Sequence, residues 1–306
     1  MRDGIGTTIM LLTLLIASGC ASSTGGDETG SSAISVNNFE ATPNPIPSRQ
    51  QFTVNMELEN TGDSDAESVY ARIFGPSFIN SKQTAERTEN FNGLRSSSDD
   101  SPSIPKTSTW QFKAPDIGEN REIDYTLHSK IFYDYETRAN TDFRLVSQDR
   151  FEEEGYTQGE PTLDQSEGPI NLRIRGTTPK IFYEDDGNQA SSDICVVAEN
   201  QGDGTAFTGG DNVGEARGYE FTDEVGNEDT INLAIEEVDG ISFQAEDTQS
   251  NSVSIELIGG EEGYQCFEMI ATDLSNSETS INTRITADYN YVEETETSVT
   301  VEGRRN

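Results

Sequence analysis

The chain of 306 residues contains one histidine, one tryptophan and five lysines: Lys82, Lys106, Lys113, Lys130 and Lys180. With His128 alone, a histidine-based triad needs a serine or cysteine nucleophile in a recognisable setting, and no Gly-x-Ser-x-Gly occurs. The alternation of Tyr125, Leu127, Ser129 and Ile131 also puts His128 on the opposite, solvent-facing side of a strand. No Asn-x-Ser/Thr acceptor is present, so the surface is expected to be free of N-linked sugar. Basic charge is scarce, with 20 Lys and Arg against 56 Asp and Glu, a net charge of −36. Phosphate binding needs a basic face, so nucleic acid is excluded as a partner. An anionic bilayer would also repel this surface. Carboxylate pairs are so common here that a pair carries no information about glycosidase-type chemistry.

Long apolar runs are missing too, apart from Thr7 to Ala17. A membrane-spanning helix needs roughly 20 residues, and this run is too short. Arg2 precedes it, and Ala17, Ser18 and Gly19 follow, which describes a secretory leader over residues 1–19. The next residue is Cys20. A small-small-Cys exit resembles the lipobox of prokaryotic lipoproteins, although Ala17 stands where that family usually has a larger aliphatic residue. The resemblance implies lipidation of Cys20 after cleavage and attachment to the outer face of the cell membrane through lipid. The alternative is an ordinary cleaved leader. Residues 20–33 then form a Gly/Ser-rich tether.

Only three cysteines occur. If Cys20 carries lipid, Cys195 and Cys266 remain to pair in an oxidising compartment; two buried free thiols are the alternative. The acids are spread through both halves of the chain rather than gathered in a tail. Self-repulsion of this size opposes compaction at ordinary salt. At molar salt the Debye length falls to about 3 Å and the repulsion is screened. Dispersed acid with little lysine resembles the proteins of extreme halophiles, here of the haloarchaeal type.

After the leader, helical periodicity is nearly absent and period-two alternation is common. The fold class is all-β. An internal duplication is visible. "ISVNNFEATP" from Ile34 matches "INLRIRGTTP" from Ile170, and "NMELENTGDSDA" matches "CVVAENQGDGTA", pairing Asn60 with Asn200 and Gly62 with Gly202. "WQFKAPDI" matches "FEMIATDL", and "YDYETRANTDFRL" matches "YNYVEETETSVTV", pairing Tyr133 with Tyr289 and Tyr135 with Tyr291. The second copy carries an insertion between Ala206 and Phe267. In the first copy Phe52, Val54, Met56 and Leu58 share one strand face, an Asn-Thr-Gly-Asp turn follows, and Val69, Ala71 and Ile73 alternate beyond it. This pattern resembles the CARDB-like group of immunoglobulin-like domains found in prokaryotic surface proteins. The resemblance implies two tandem β-sandwiches, at residues 34–147 and 170–306, joined by an acidic linker at 148–169.

In the immunoglobulin-like order, the strands of Cys195 and Cys266 are antiparallel neighbours. Ile194, Val196, Phe267 and Met269 align with core residues of the first copy, so both cysteines point away from the core. A cross-strand disulfide on the outer face of the second copy is expected. Calcium is the better chemical guess for a ligand. Asp185, Asp186 and Asn188 lie in "YEDDGNQ", and Asp203 and Asp211 lie in the Gly-rich stretch that follows Asn200. Hard cations take several such oxygens from a bent loop. Neither segment has EF-hand spacing, and ordinary acidic turns explain both. The tyrosine pairs read either as a sugar platform or as core, and their recurrence in both copies favours core. The expected function is a non-enzymatic surface lipoprotein for adhesion, envelope structure or assembly with another surface protein. The alternative is a carbohydrate- or calcium-binding subunit working through loops of the second copy.

Overall fold

The computed structural model describes residues 32–304, apart from 83, 98–100, 186–188, 210–226, 247 and 273–277. The fold is all-β with several antiparallel ladders, and the described residues include three short helices. The first copy contains β1 (Ile34–Thr42), β2 (Ile46–Pro47), β3 (Gln51–Asn60), β4 (Glu67–Phe74), α1 (Ser77–Asn80), α2 (Thr84–Arg87), β5 (Thr88–Asn90), β6 (Lys106–Lys113) and β7 (Glu122–Ser147). Next come α3 (Gln148–Glu154) and β8 (Leu163–Gln165). The second copy contains β9 (Ile170–Arg175), β10 (Lys180–Asp185), β11 (Gln189–Asn200), β12 (Thr205–Thr208), β13 (Asn227–Glu228), β14 (Thr230–Ile235), β15 (Ile241–Ala245), β16 (Ser252–Glu256), β17 (Glu262–Thr272) and β18 (Glu278–Glu302).

Alternation along β3 puts Phe52, Val54, Met56 and Leu58 in the core, each no more than 2% exposed. A strand with this pattern must bury one face. β1, β3 and β6 form a three-stranded sheet, and β9, β11 and β17 repeat that order in the second copy. The expected adjacency of the two cysteine strands is therefore found.

The division into two separate sandwiches is not found. β7 has 26 residues and β18 has 25, and they pair antiparallel along their whole length, from Glu122↔Glu302 to Val146↔Glu278. At a rise of about 3.3 Å per residue this ribbon is roughly 80 Å long. The first half of β7 pairs with β4, whereas its second half pairs with β8 and β10. The first half of β18 pairs with β14, whereas its end pairs with β2 of the first copy. Each copy thus sends the second half of its last strand into the other copy. Odd-numbered residues of the ribbon face the core from Leu127 to Leu145 and from Thr283 to Tyr291, and again at Val299 and Val301. One apolar core cluster includes residues of both copies.

The expected linker at 148–169 is also folded onto this frame. Ser147 accepts a hydrogen bond from Arg150 N at the start of α3, and Gly155 ends the helix in the left-handed region at φ 64°. β8 then adds to β7 at Ala139↔Gln165. The insertion of the second copy also has a structural position. β4 carries a bulge between Glu67 and Tyr70, with Ser68 at φ 49°. At the matching place on β18 the partner strand is interrupted: β12 pairs at Phe207↔Asn290 and β14 resumes at Asn232↔Asp288. The extra residues enter where the first copy already bulges.

Candidate functional site: the centre of the ribbon

The ribbon has a pseudo-twofold axis at its centre. Tyr133 is opposite Tyr291 and Tyr135 is opposite Tyr289, with ring centroids 5.6 and 6.1 Å apart. All four rings are buried, between 0% and 4% exposed. They are core, as their recurrence indicated, and not a platform for sugars. Tyr135 hydroxyl donates to Glu167 O at 2.9 Å and accepts from Ser64 N at 3.1 Å. Tyr291 hydroxyl donates to Asn200 Oδ1 at 3.0 Å and accepts from Gly204 N at 2.9 Å. Asn60 and Asn200 each brace the following turn: Gly62 N and Gly202 N donate to their side-chain oxygens at 3.0 and 3.1 Å. A side chain at Gly62 or Gly202 would collide with the Tyr135 or Tyr291 hydroxyl. This explains the paired Asn-x-Gly turns seen in the sequence.

The symmetry also fails beside the other two rings. Thr137 and Tyr289 share a hydroxyl hydrogen bond of 2.9 Å. Glu293 occupies the equivalent place beside Tyr133. Its carboxyl accepts from Ser32 Oγ at 2.7 Å. Burial pushes the Glu293 carboxyl up to about 7, against the opposing effect of the Ser32 and Tyr133 hydroxyls. Burial also drives the Tyr133 hydroxyl well above its ordinary value, with Glu293 adding to the shift.

A polar cleft of about 700 Å³ opens at the same level, built from both copies. Its acids are Asp63, Asp65, Glu67, Asp134, Glu136 and Asp288, and Arg138 is among them. Arg138 pairs with Glu136. Burial raises Asp134, and burial together with Glu136 raises Asp288 to about 6. Both carboxyls therefore hold their protons to a higher pH than an ordinary aspartate does. Among the described residues no group of three or more such side chains is arranged to hold a metal ion.

Cys195 and Cys266 are direct register partners and form a disulfide, with Cα atoms 3.9 Å apart. Ile194, Val196 and Phe267 beside them are fully buried, so the bond lies on the side of the sheet away from the core. A disulfide of this kind belongs to an oxidising, extracytoplasmic compartment. Asp185 and Asp203 are not brought together. Asp185 pairs with Gln189 at one end of β11, and Asp203 follows its other end at Asn200, about 35 Å away at strand rise. Asp186, Asn188, Asp211 and Cys20 lie outside the described residues. His128 is on the outer face, as its parity indicated. Its ring stacks on Phe74 at 5.3 Å, and its Nδ1 lies 3.2 Å from Glu294 and 3.6 Å from Glu296. The central cleft was not legible beforehand. Its acids come from several separate segments, and only the pairing of β7 with β18 brings them together.

No protein-family model and no curated protein matches the chain. Among solved structures it is similar to a protein of unknown function from Porphyromonas gingivalis W83, at 12% identity and a TM-score of 0.21, over 79% of this chain and 84% of that one. It is also similar to the Enterococcus faecalis MSCRAMM ACE, described as binding its ligands by the collagen Hug model, at 8% identity and a TM-score of 0.19, over 90% and 96% of the two chains. The secreted serine protease VesC from Vibrio cholerae aligns at 9% identity and a TM-score of 0.19, over 80% of this chain and 48% of that one.

Proposed function

We propose that the protein is a lipid-anchored surface module that acts without catalysis, as a stiff connector in adhesion, envelope structure or assembly with another surface protein. The observation that carries this reading is the exchanged ribbon. Two copies joined by a flexible linker could swing independently. Here one core and roughly 80 Å of continuous two-stranded ladder tie them together. The tyrosines at the centre are spent on packing and turn bracing, which suits a load-bearing joint better than a ligand platform. The disulfide supports an exported location.

The anchor is tested by intact-mass analysis of the mature protein and by fractionation of cells carrying Cys20→Ser. Lipid mass on Cys20, with release of the variant into the medium, is the expected result. A mature N-terminus at Cys20 without lipid removes the anchor. Failure of a membrane-impermeant label to reach the protein on intact cells removes the surface location.

A further inference from the structure

The duplication supplies an internal comparison of the two outer edges of the ribbon. Along β7, the edge turned away from β18 is filled in turn by β4, β8 and β10. β8 enters at Ala139↔Gln165, Asn140↔Asp164 and Thr141↔Leu163. Along β18, the edge turned away from β7 pairs with β14 at residues 285–288, β12 at 290–292 and β2 at 301–302. Among the described residues no strand pairs with that edge between Glu293 and Thr300. The duplication puts Thr295, Glu296 and Thr297 at the places of Ala139, Asn140 and Thr141. The strand that is missing is therefore the counterpart of β8.

Exposure shows that its place is open. Where β8 lies, half-buried Leu163 packs on the core, and Thr137, Ala139, Thr141 and Leu172 are no more than 2% exposed. Their counterparts Glu293, Thr295, Thr297 and Val36 are only half-buried. Parity identifies the unpaired backbone groups. Ser166 N donates to Arg138 O at 2.8 Å, so even-numbered residues of β7 direct their backbone groups toward β8. By the same parity Glu294, Glu296 and Ser298 direct theirs outward, and odd-numbered residues bond to β7. Thr300 agrees, its N–H donating outward to Asn44 Oδ1 at 3.0 Å.

Charge decides the occupant. The chain's own sequence at the place of β8 is Asp27, Glu28 and Thr29, outside the described residues. In the β8 register it would set Glu28 opposite Glu296 and an aspartate at the place of Leu163, and both are unfavourable. A second copy of this edge would bring the same glutamates. Glu294 and Glu296 keep 48% and 68% of their side chains exposed, although His128 on β7 lies 3.2 and 3.6 Å away. In the β8 register a residue at the place of Asp164 faces Glu296, and one at the place of Ser166 faces Glu294.

We propose that the edge of β18 from Glu294 to Ser298 is an acceptor for an extended basic segment of a partner protein, added antiparallel as β8 is added to β7. Main-chain hydrogen bonds supply the affinity. An apolar side chain at the place of Leu163 and lysine or arginine at the places of Asp164 and Ser166 supply the selectivity. This contact rests on the assembly role proposed above and names the chemistry of the partner. It is tested on the purified chain, so its failure is separable from failure of the membrane anchor.

The probe is a peptide blocked at both ends, PTLKQK, which is residues 161–166 of this chain with lysine in place of Asp164 and Ser166. Amide exchange of the protein is followed with and without it, at the lowest salt that keeps the β signal, so that screening does not hide the charge effect. The expected result is saturable slowing at Glu294, Glu296 and Ser298 at about 1 mM peptide, with Thr295 and Thr297 unchanged because β7 already protects them. The unaltered sequence PTLDQS is expected to bind roughly tenfold more weakly. Glu294→Gln with Glu296→Gln alters no backbone bond, and should bring the two peptides to within about twofold of each other. Absence of slowing at about 5 mM peptide overturns the proposal. So does slowing without the odd–even alternation, equal binding of the two peptides by the natural chain, or an undiminished preference in the double variant. Protection of Glu294, Glu296 and Ser298 in the protein alone, equal to that of Thr295 and Thr297, overturns it in favour of the chain's own tether. Dimerisation that the peptide reverses, seen by sedimentation, overturns it in favour of self-pairing.

Discussion

The hydroxyls of Thr137 and Tyr289 lie 2.9 Å apart across the central ribbon, and the equivalent place beside Tyr133 is taken by the carboxyl of Glu293. One copy thus has a neutral pair where the other buries an acid. The groups facing Glu293 are Ser32 from the entry to β1, Tyr133 from β7 and Asp203 from the turn before β12.

This asymmetry gives a pH dependence opposite in sign to that of a salt-bridged acid. The folded state holds the Glu293 proton up to about pH 7, while the ordinary value is 4.5. The stabilisation is complete below the ordinary value and is lost as pH rises through 7. Asp288, raised to about 6, and Asp134, also raised, act in the same direction. Glu59, Asp116 and Glu278 are lowered by hydrogen bonds from Ser103, Arg49 and Tyr156 respectively, so they lose stability only at more acid pH. Thermal melts should therefore show higher stability at pH 5 than at pH 8. Glu293→Gln should raise stability at pH 8 by on the order of 1–3 kcal/mol and flatten the profile between pH 5 and 7. A wild-type melting temperature that climbs from pH 5 to pH 8 contradicts this.

The turns under the tyrosines should not accept a methyl group. Gly62→Ala and Gly202→Ala would each push a Cβ into a tyrosine hydroxyl that is bonded to the neighbouring backbone. A loss of about 1–3 kcal/mol is expected for each, read by denaturant titration. Gly159→Ala, where a Cβ meets nothing within 4 Å, is the control. Equal stability of all three variants would show that the turn and tyrosine contact is slack.

The exchanged strands predict that the copies are inseparable. A protease site placed at Gln158, between α3 and β8, should yield two fragments that stay together on size exclusion under native conditions. Expressed alone, each half lacks the strand half that the other supplies and should not give a folded monomer. A half that melts cooperatively as a monomer near the wild-type temperature would exclude the exchange.

Removal of the disulfide should be costly but local to the second copy. Cys195 and Cys266 are 71 residues apart, so the chain-entropy estimate is roughly 4 kcal/mol. Cys195→Ser with Cys266→Ser should lower the denaturation midpoint, and amide exchange should rise most along β9, β11 and β17. An unchanged midpoint would mean that the bond contributes nothing.

Salt should matter throughout. With a net charge of −36, the β signal in far-UV circular dichroism should persist above about 1 M salt and decay on dialysis to low salt. Retention of the fold at about 50 mM salt contradicts the halophilic reading.

The sequence by itself determined that the chain is all-β, which face strands such as β3 and β4 bury, and that the core of one copy recurs in the other. Period-two alternation sets those, because side chains leave a strand on alternate sides whatever lies beside it. It also determined that Cys195 and Cys266 point away from the core, and adjacency in the expected strand order did the rest. Only the tertiary structure decided which strand lies beside which along β7 and β18. The Tyr-x-Tyr face is the same in both copies, so pairing within a copy and pairing across copies bury the same residues and read identically from alternation. The choice rests on the continuity of β7 and β18 through the axis, where four rings from two copies fill one seam. The acidic cleft and the raised carboxyls of Glu293 and Asp288 follow from that choice, because burial is a property of neighbours, and these neighbours are far apart in the chain.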